Sequence, residues 1–162
     1  MPRKSVIIVD PLSTGNLYAP SLAQKGYICY GVLSSNDLPS KFMDSLDVAK
    51  LFENRLFSAD EIKYLVPKTD VVAVVCGAET GVYCADELAL FFNVRGNDPN
   101  TTNWRRSKGA MQNRLQSMNL KSIQSLEITS QTESINIFHS KNGYVVKPDS
   151  SCLTDDVLFL TT

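Results

Sequence analysis

The chain has 162 residues, 43% of them hydrophobic and 20% charged, with a formal net charge of −1. This is an ordinary globular composition, long enough for one large domain or for one α/β unit plus part of another. A charge so near zero gives no general attraction to nucleic acid or to an anionic membrane surface, so neither is expected as a partner. The apolar run near the N-terminus stops at Asp10-Pro11, too early for a signal-peptide core, and no stretch approaches the length of a membrane span. Cys29, Cys76, Cys84 and Cys152 are scattered and include no CxxC pair. They read as reduced residues of a cytoplasmic protein, not as a disulfide frame or a zinc site.

In chain order, residues 5–9 (SVIIV) form a continuous apolar run of the kind a strand buried on both faces requires. A turn follows at 11–15 (PLSTG). Residues 16–25 then place Leu17, Ala19, Leu22 and Ala23 at helical spacing, with Gly26 suited to the position just past a helix end. Residues 27–33 (YICYGVL) read as a second strand. Ser58 and Glu61 have the spacing of a capping box for a short helix through Leu65. Residues 70–76 (DVVAVVC) are a third buried strand, running into Gly77-Ala78-Glu79-Thr80-Gly81. Residues 82–92 then carry Val82, Ala85, Leu88, Ala89 and Phe92 on one side of a helix. Strands alternating with helices predict an α/β fold with a parallel sheet, in which ligands bind beyond the carboxyl ends of the strands.

Residues 95–103 (RGNDPNTTN) are polar, turn-rich and without periodicity, which sets a boundary: one domain over 1–95, a linker over 96–103 and a second unit over 104–162. Residues 104–118 predict one helix with Asn103 as its cap, and 122–128 an extended segment. Ser130 with Glu133 predicts a capped helix to about Ser140. Residues 144–147 (YVVK) predict a strand, 148–156 a polar loop, and 157–160 (VLFL) a last strand.

Several residues invite a functional reading beside a structural one. Glu79, where a strand feeds a helix, either faces a ligand cleft or caps neighbouring backbone. Arg105 and Arg106 either guide anions or hold the domain junction, or are simply a solvated helix start. Ser13, Thr14 and Gly15 could offer an anion site at a helix start. Trp104 reads as a packing anchor, and His139, the only histidine, is not expected to be catalytic. Neither GxGxxG nor GxxxxGK[ST] occurs. A receiver-like signalling domain, suggested by VIIVDP, would need an aspartate ending the third strand, where this chain has Cys76-Gly77.

Four segments carry more specificity together than any does alone: Gly77-Ala78-Glu79-Thr80-Gly81-Val82 followed by Ala85-Asp86-Glu87-Leu88; Arg105-Arg106-Ser107-Lys108 with Met111; Val145-Val146-Lys147-Pro148; and Ser150-Ser151-Cys152-Leu153-Thr154-Asp155-Asp156-Val157. In this order they resemble the ATP-grasp superfamily, and within it the bacterial carboxylate–amine ligases of the amino-acid ligase type. The resemblance covers nearly the whole chain. It implies a Rossmann-like pre-ATP-grasp domain with a parallel sheet, followed by a partial α+β ATP-grasp lobe. It implies ATP and Mg2+ as cofactors, and small-molecule carboxylate and amine substrates joined through an acyl phosphate. It also implies that Lys108 and Lys147 contact the nucleotide and that Ser150, Ser151 and Thr154 belong to a phosphate loop over 150–154, while Glu79 stays a candidate for the substrate cleft. The physics is consistent: phosphates need fixed cations, and a small polar loop offers them N–H groups and hydroxyls.

In the family, the adenine-contacting hinge, the magnesium-binding acids and the basic residues that handle the acyl phosphate lie farther along than Thr162. No catalytic or metal residue is therefore assigned. The chain alone is expected to be inactive and to bind ATP weakly or not at all, unless a homodimer shares its cleft. The sequence also departs from the pattern at Cys152 and Leu153, where a small residue and glycine would let backbone approach phosphate. That departure supports the alternative of a non-catalytic, ATP-grasp-like binding or interaction module.

Overall fold

Five successive buried residues, Ser5–Val9, make strand β1. Because side chains alternate across a strand, its apolar run serves two cores at once. Ile7 and Val9 pack with Val32, Phe57, Ile62, Leu88 and Phe92 on one face. Val6 and Ile8 pack with Leu12, Ala19 and Phe52 on the other. A strand so enclosed belongs in the middle of a parallel sheet. In the computed structural model, which describes residues 4–38, 52, 55–129, 142–150 and 157–160, that is where it lies.

The chain divides into two compact units, Met1–Thr102 and Asn103–Thr162. The first is an α/β unit. Strands β2 (Ile28–Leu33), β3 (Leu56–Ser58) and β4 (Val71–Cys76) join β1 in the order β3-β2-β1-β4. All three pairings are parallel. The register against β4 slips by one residue between Ser5 and Val6, leaving Val72 outside the pairing and exposed. Helix α1 (Tyr18–Ala23) covers the Val6/Ile8 face through Ala19. Helices α2 (Ala59–Leu65) and α3 (Val82–Phe92) cover the Ile7/Val9 face through Ile62, Ala85, Leu88 and Phe92. The result is a three-layer unit whose core is set by one strand's alternation.

Local chemistry fixes the ends of these elements. Both halves of the Ser58–Glu61 capping box are formed at α2, with Ser58 Oγ accepting from the Glu61 N–H and Glu61 accepting from the Ser58 N–H. Those hydrogen bonds, together with Arg55, hold the Glu61 carboxyl below its ordinary range. Asn93 ends α3 in the left-handed conformation at φ 54°. The segment predicted over 16–25 starts as a 3-10 helix, Ser13–Leu17, before α1 takes over. The turn-rich stretch after α3 is pinned at its far end. Thr102, 1% exposed, donates its hydroxyl to the buried Asp86 of α3 at 2.6 Å, and Asp98 caps the 3-10 turn Pro99–Thr101.

In the second unit the single helix expected over 104–118 is two helices, α4 (Thr102–Arg106) and α5 (Lys108–Ser117). Ser107 breaks it: its backbone is extended, at φ −89° and ψ 125°, and its hydroxyl accepts from the Ala110 N–H as the N-cap of α5. No residue of α5 is buried. Trp104 is held by the Arg114 guanidinium 4.2 Å from its ring centre. Residues 120–129 take no regular structure. Strands β5 (Tyr144–Val146) and β6 (Leu158–Leu160) pair antiparallel, from Tyr144 opposite Leu160 to Val146 opposite Leu158. The helix expected from Ser130 to about Ser140 lies outside the described residues.

Two glycines mark where the first unit has no room. A Cβ on Gly15 would stand 2.3 Å from the Gly77 carbonyl oxygen, and one on Gly77 would stand 2.5 Å from that of Asp10. Both obstacles are backbone and cannot rotate away. Gly26 meets nothing within 4 Å, although its φ of 84° strains any replacement. Gly15→Ala and Gly77→Ala should therefore each cost about 2–4 kcal/mol, and Gly26→Ala about 1 kcal/mol. Denaturant unfolding followed by circular dichroism checks this ordering. Equal effects at Gly15 and Gly26 would contradict it.

Candidate functional site

The first place to look is the carboxyl end of the parallel sheet. The chain steps from β1 outward through β2 to β3, then returns to the other side of β1 for β4. The order reverses between β1 and β4, and open α/β sheets bind ligands at such a point. Here that point is filled by the protein. Asp10, wholly buried and left-handed at φ 47°, follows β1 directly. Its carboxylate accepts from the Ser34 N–H at 2.8 Å, the Ser34 hydroxyl at 2.6 Å and the Thr80 hydroxyl at 2.6 Å. One side chain thereby ties together the loops that follow β1, β2 and β4.

Gly15 and Gly81 are buried against the same loops, with a Gly81 Cβ position 3.1 Å from Asp10 Oδ2. Gly15 thus serves a backbone crossing, while Ser13 and Thr14 are exposed beside it. Cys84, on α3, has its thiol pushed up to about 11 by burial and then by the negative charges of Asp10 and Glu87. A thiol held so strongly protonated is a poor nucleophile. Cys29, Cys76 and Cys84 form no disulfide among the described residues.

The second place is the start of α5. Here residues some forty positions apart in sequence meet. The Lys108 ammonium donates to the Pro148 carbonyl at 3.0 Å and to the Asp149 carbonyl at 3.2 Å. The Lys108 N–H donates to the same Asp149 carbonyl at 3.2 Å. The Asp149 carboxylate accepts from the Gly109 N–H at 2.8 Å and bonds with the Ser107 side chain. A carboxylate at the N-terminus of a helix takes up orphan N–H groups and meets the favourable end of the helix dipole. The Gly109 N–H, then the Ser107 hydroxyl, then the Lys108 charge hold the Asp149 carboxyl below its ordinary value. Asp149 is exposed, so solvent screens the energetic value of these contacts.

Most of the residues singled out from sequence can be placed. Lys108 lies on the carbonyls that follow Lys147. Lys147 itself follows β5 directly and is exposed, as is Ser150. Ser151 and Thr154, with Cys152 and Leu153, lie outside the described residues. Glu79 is exposed in the first unit, opening the 3-10 turn Glu79–Gly81 after β4. Asp10 and Asp149 were not singled out, because each acts through partners distant in sequence. Asp10 had one local signal: a charged residue ending a wholly apolar strand must find partners if it is buried.

Two other features of the described residues bear on chemistry. A groove of about 280 Å³ between α5 and residues 122–125 is lined by Gln112, Asn113, Gln116, Ser122 and Gln124 without a charged side chain, so it offers phosphate no cation. Among the described residues, no group of three His, Cys, Asp or Glu side chains is gathered as for a metal, and no helix is long and apolar enough to cross a membrane.

No protein-family model matches the sequence, and no curated protein matches it. Solved structures do. The fold is similar to that of an L-amino acid ligase. The crystal structure of that enzyme, from Bacillus licheniformis, superposes with a TM-score of 0.68 at 13% sequence identity and covers 100% of this chain. The chain spans 40% of the ligase's length. At this identity the likeness is one of fold, and it extends over the α/β unit and the segment bearing Lys108 and Lys147.

The carboxylate at the start of α5 can be read directly. Asp149 should titrate below the ordinary aspartate value, near 3.9. A depressed folded pKa means stability that is present above the unfolded value and lost as pH falls through the folded one. In an NMR titration the Gly109 amide should keep its shift at neutral pH and move only once pH drops below that ordinary value. A Gly109 shift that changes between pH 5 and 7 would show that the hydrogen bond is not with Asp149.

Proposed function

We propose that this chain is the nucleotide-side portion of an ATP-grasp carboxylate–amine ligase: a Rossmann-like pre-ATP-grasp domain followed by the first part of the nucleotide-binding lobe. The observation that carries the reading is the meeting of Lys108 with the loop after Lys147, in a chain whose whole length follows the fold of an L-amino acid ligase. Lys147 and Ser150 would hold ATP phosphates, with Lys108 adding positive charge beside them. Ser151 and Thr154 would continue the same phosphate loop, and Glu79 is proposed to face substrate.

The chemistry of this set fits phosphate. Lysine ammonium groups supply charge, and hydroxyls and loop N–H groups supply directed donors. ATP, when bound, supplies the phosphoryl group that activates a carboxylate for attack by an amine. A magnesium ion accompanying ATP is carried largely by the phosphates and needs few protein carboxylates. Amide formation between small-molecule substrates is proposed for the ligase as a whole, in the cytoplasm, and not for this stretch acting alone.

Because Lys147 and Ser150 are exposed, each contact competes with water and is worth about 1 kcal/mol or less. Calorimetric titration of the 162-residue chain with Mg-ATP should therefore show weak binding, with Kd above about 0.1 mM, weakened further by Lys147→Ala. No heat up to about 10 mM would sink the reading that this stretch by itself holds nucleotide. It would leave the non-catalytic module, which Leu153 in place of glycine already favours.

A further inference from the structure

Strand β5 ends at Val146, and its pairing with β6 stops there. Two antiparallel strands of three residues are a weak anchor. Residues 147–150 then run on without regular structure, yet they carry both Lys147 and Ser150. Among the described residues this run is held at the Pro148 carbonyl, by the Lys108 ammonium, and above all at its third member. Asp149 grips the start of α5 with side chain and main chain together: its carboxylate takes the Gly109 N–H and the Ser107 side chain, and its carbonyl takes the Lys108 N–H and ammonium. Gly109 is fitted to this grip, since a Cβ there would stand 3.3 Å from Asp149 Oδ1.

We propose that Asp149 is the positioning residue of the nucleotide site: by clamping residues 147–150 to the start of α5, it holds Lys147 and Ser150 in one place for phosphate. The proposal rests on the nucleotide reading above, but it assigns Asp149 a role that neither the motif nor the lysines contain. It also changes the part given to Lys108. That ammonium braces the loop through the Pro148 and Asp149 carbonyls, leaving Lys147 as the principal phosphate cation. A clamp of this kind depends on a hydrogen-bond acceptor at position 149. Its negative charge is favourable at the helix start but unfavourable beside phosphate, and the two effects oppose each other.

That distinction gives the test. The isotope-labelled full chain is titrated with Mg-ATP, and amide shifts are followed in the native protein, Asp149→Ala and Asp149→Asn. Asp149→Ala should weaken binding by about tenfold, the loss that goes with one hydrogen bond left unmade. Asp149→Asn keeps an oxygen for the Gly109 N–H and sheds the charge, so it should bind about as well as the native chain. Its amide spectrum also shows whether the fold survives. Equal or tighter binding by Asp149→Ala would overturn the clamp and make the carboxylate a competitor of phosphate. Asp149→Asn no better than Asp149→Ala would overturn it as well. Absence of binding in the native chain would remove the nucleotide reading and the clamp together, whereas native binding that ignores position 149 would remove the clamp alone.

Discussion

The first unit is organised by a place where two stretches of backbone touch. After β1 the chain turns at Asp10, and after β4 it passes so close that Gly77 has no space for a Cβ against the Asp10 carbonyl, nor Gly15 against Gly77. This crossing holds the loop after β1 against the loop after the edge strand β4. It also lets Asp10 reach loops 24 and 70 residues away. A buried carboxylate is tolerable only when its oxygens are satisfied, and here three donors meet it at 2.6–2.8 Å. The point where an α/β sheet would ordinarily receive a ligand is thereby used to close the sheet. Glu79, exposed, opens the turn that follows β4 beside this closure.

The second unit works on a different principle. Helix α5 buries no residue, and β5 and β6 expose Val145, Leu158, Phe159 and Leu160 at 50–76%. Little apolar burial is available there to fix geometry, so among the described residues polar contacts take a larger share. Ser107 starts the helix, Lys108 and Gly109 donate to Asp149 at its first turn, and Gln112 accepts from the Ile123 N–H at 2.7 Å. Such contacts are individually modest in water, but they are directional. For the proposed phosphate site, direction matters more than burial.

How much of this was legible in the sequence follows from the range of the interactions. SVIIV and VVAVVC carry the parallel sheet in their composition, and the capping box at Ser58–Glu61 is a spacing rule, so β1, β4 and α2 could be placed from local pattern. Strand β3 was not legible, because three residues hold no periodicity and its place depends on Gly31 lying opposite Leu56. The break at Ser107 had a visible signal, a serine three residues before Ala110, that the helical spacing on either side concealed. Lys108 and Lys147 stood out through their family resemblance. That Lys108 leans on the Pro148 and Asp149 carbonyls depends on a contact across forty residues, which no local rule contains.

The central functional claim is that the start of α5 and the loop after β5 together form a phosphate site. It is tested most directly by a crystal structure of the chain grown with magnesium and a non-hydrolysable ATP analogue. The expected result is analogue phosphates within hydrogen-bond reach of the Lys147 ammonium and the Ser150 hydroxyl, with Asp149 still on the Gly109 N–H. Analogue phosphates bound away from Lys147, for instance at the rim of the sheet beside Glu79, would contradict it.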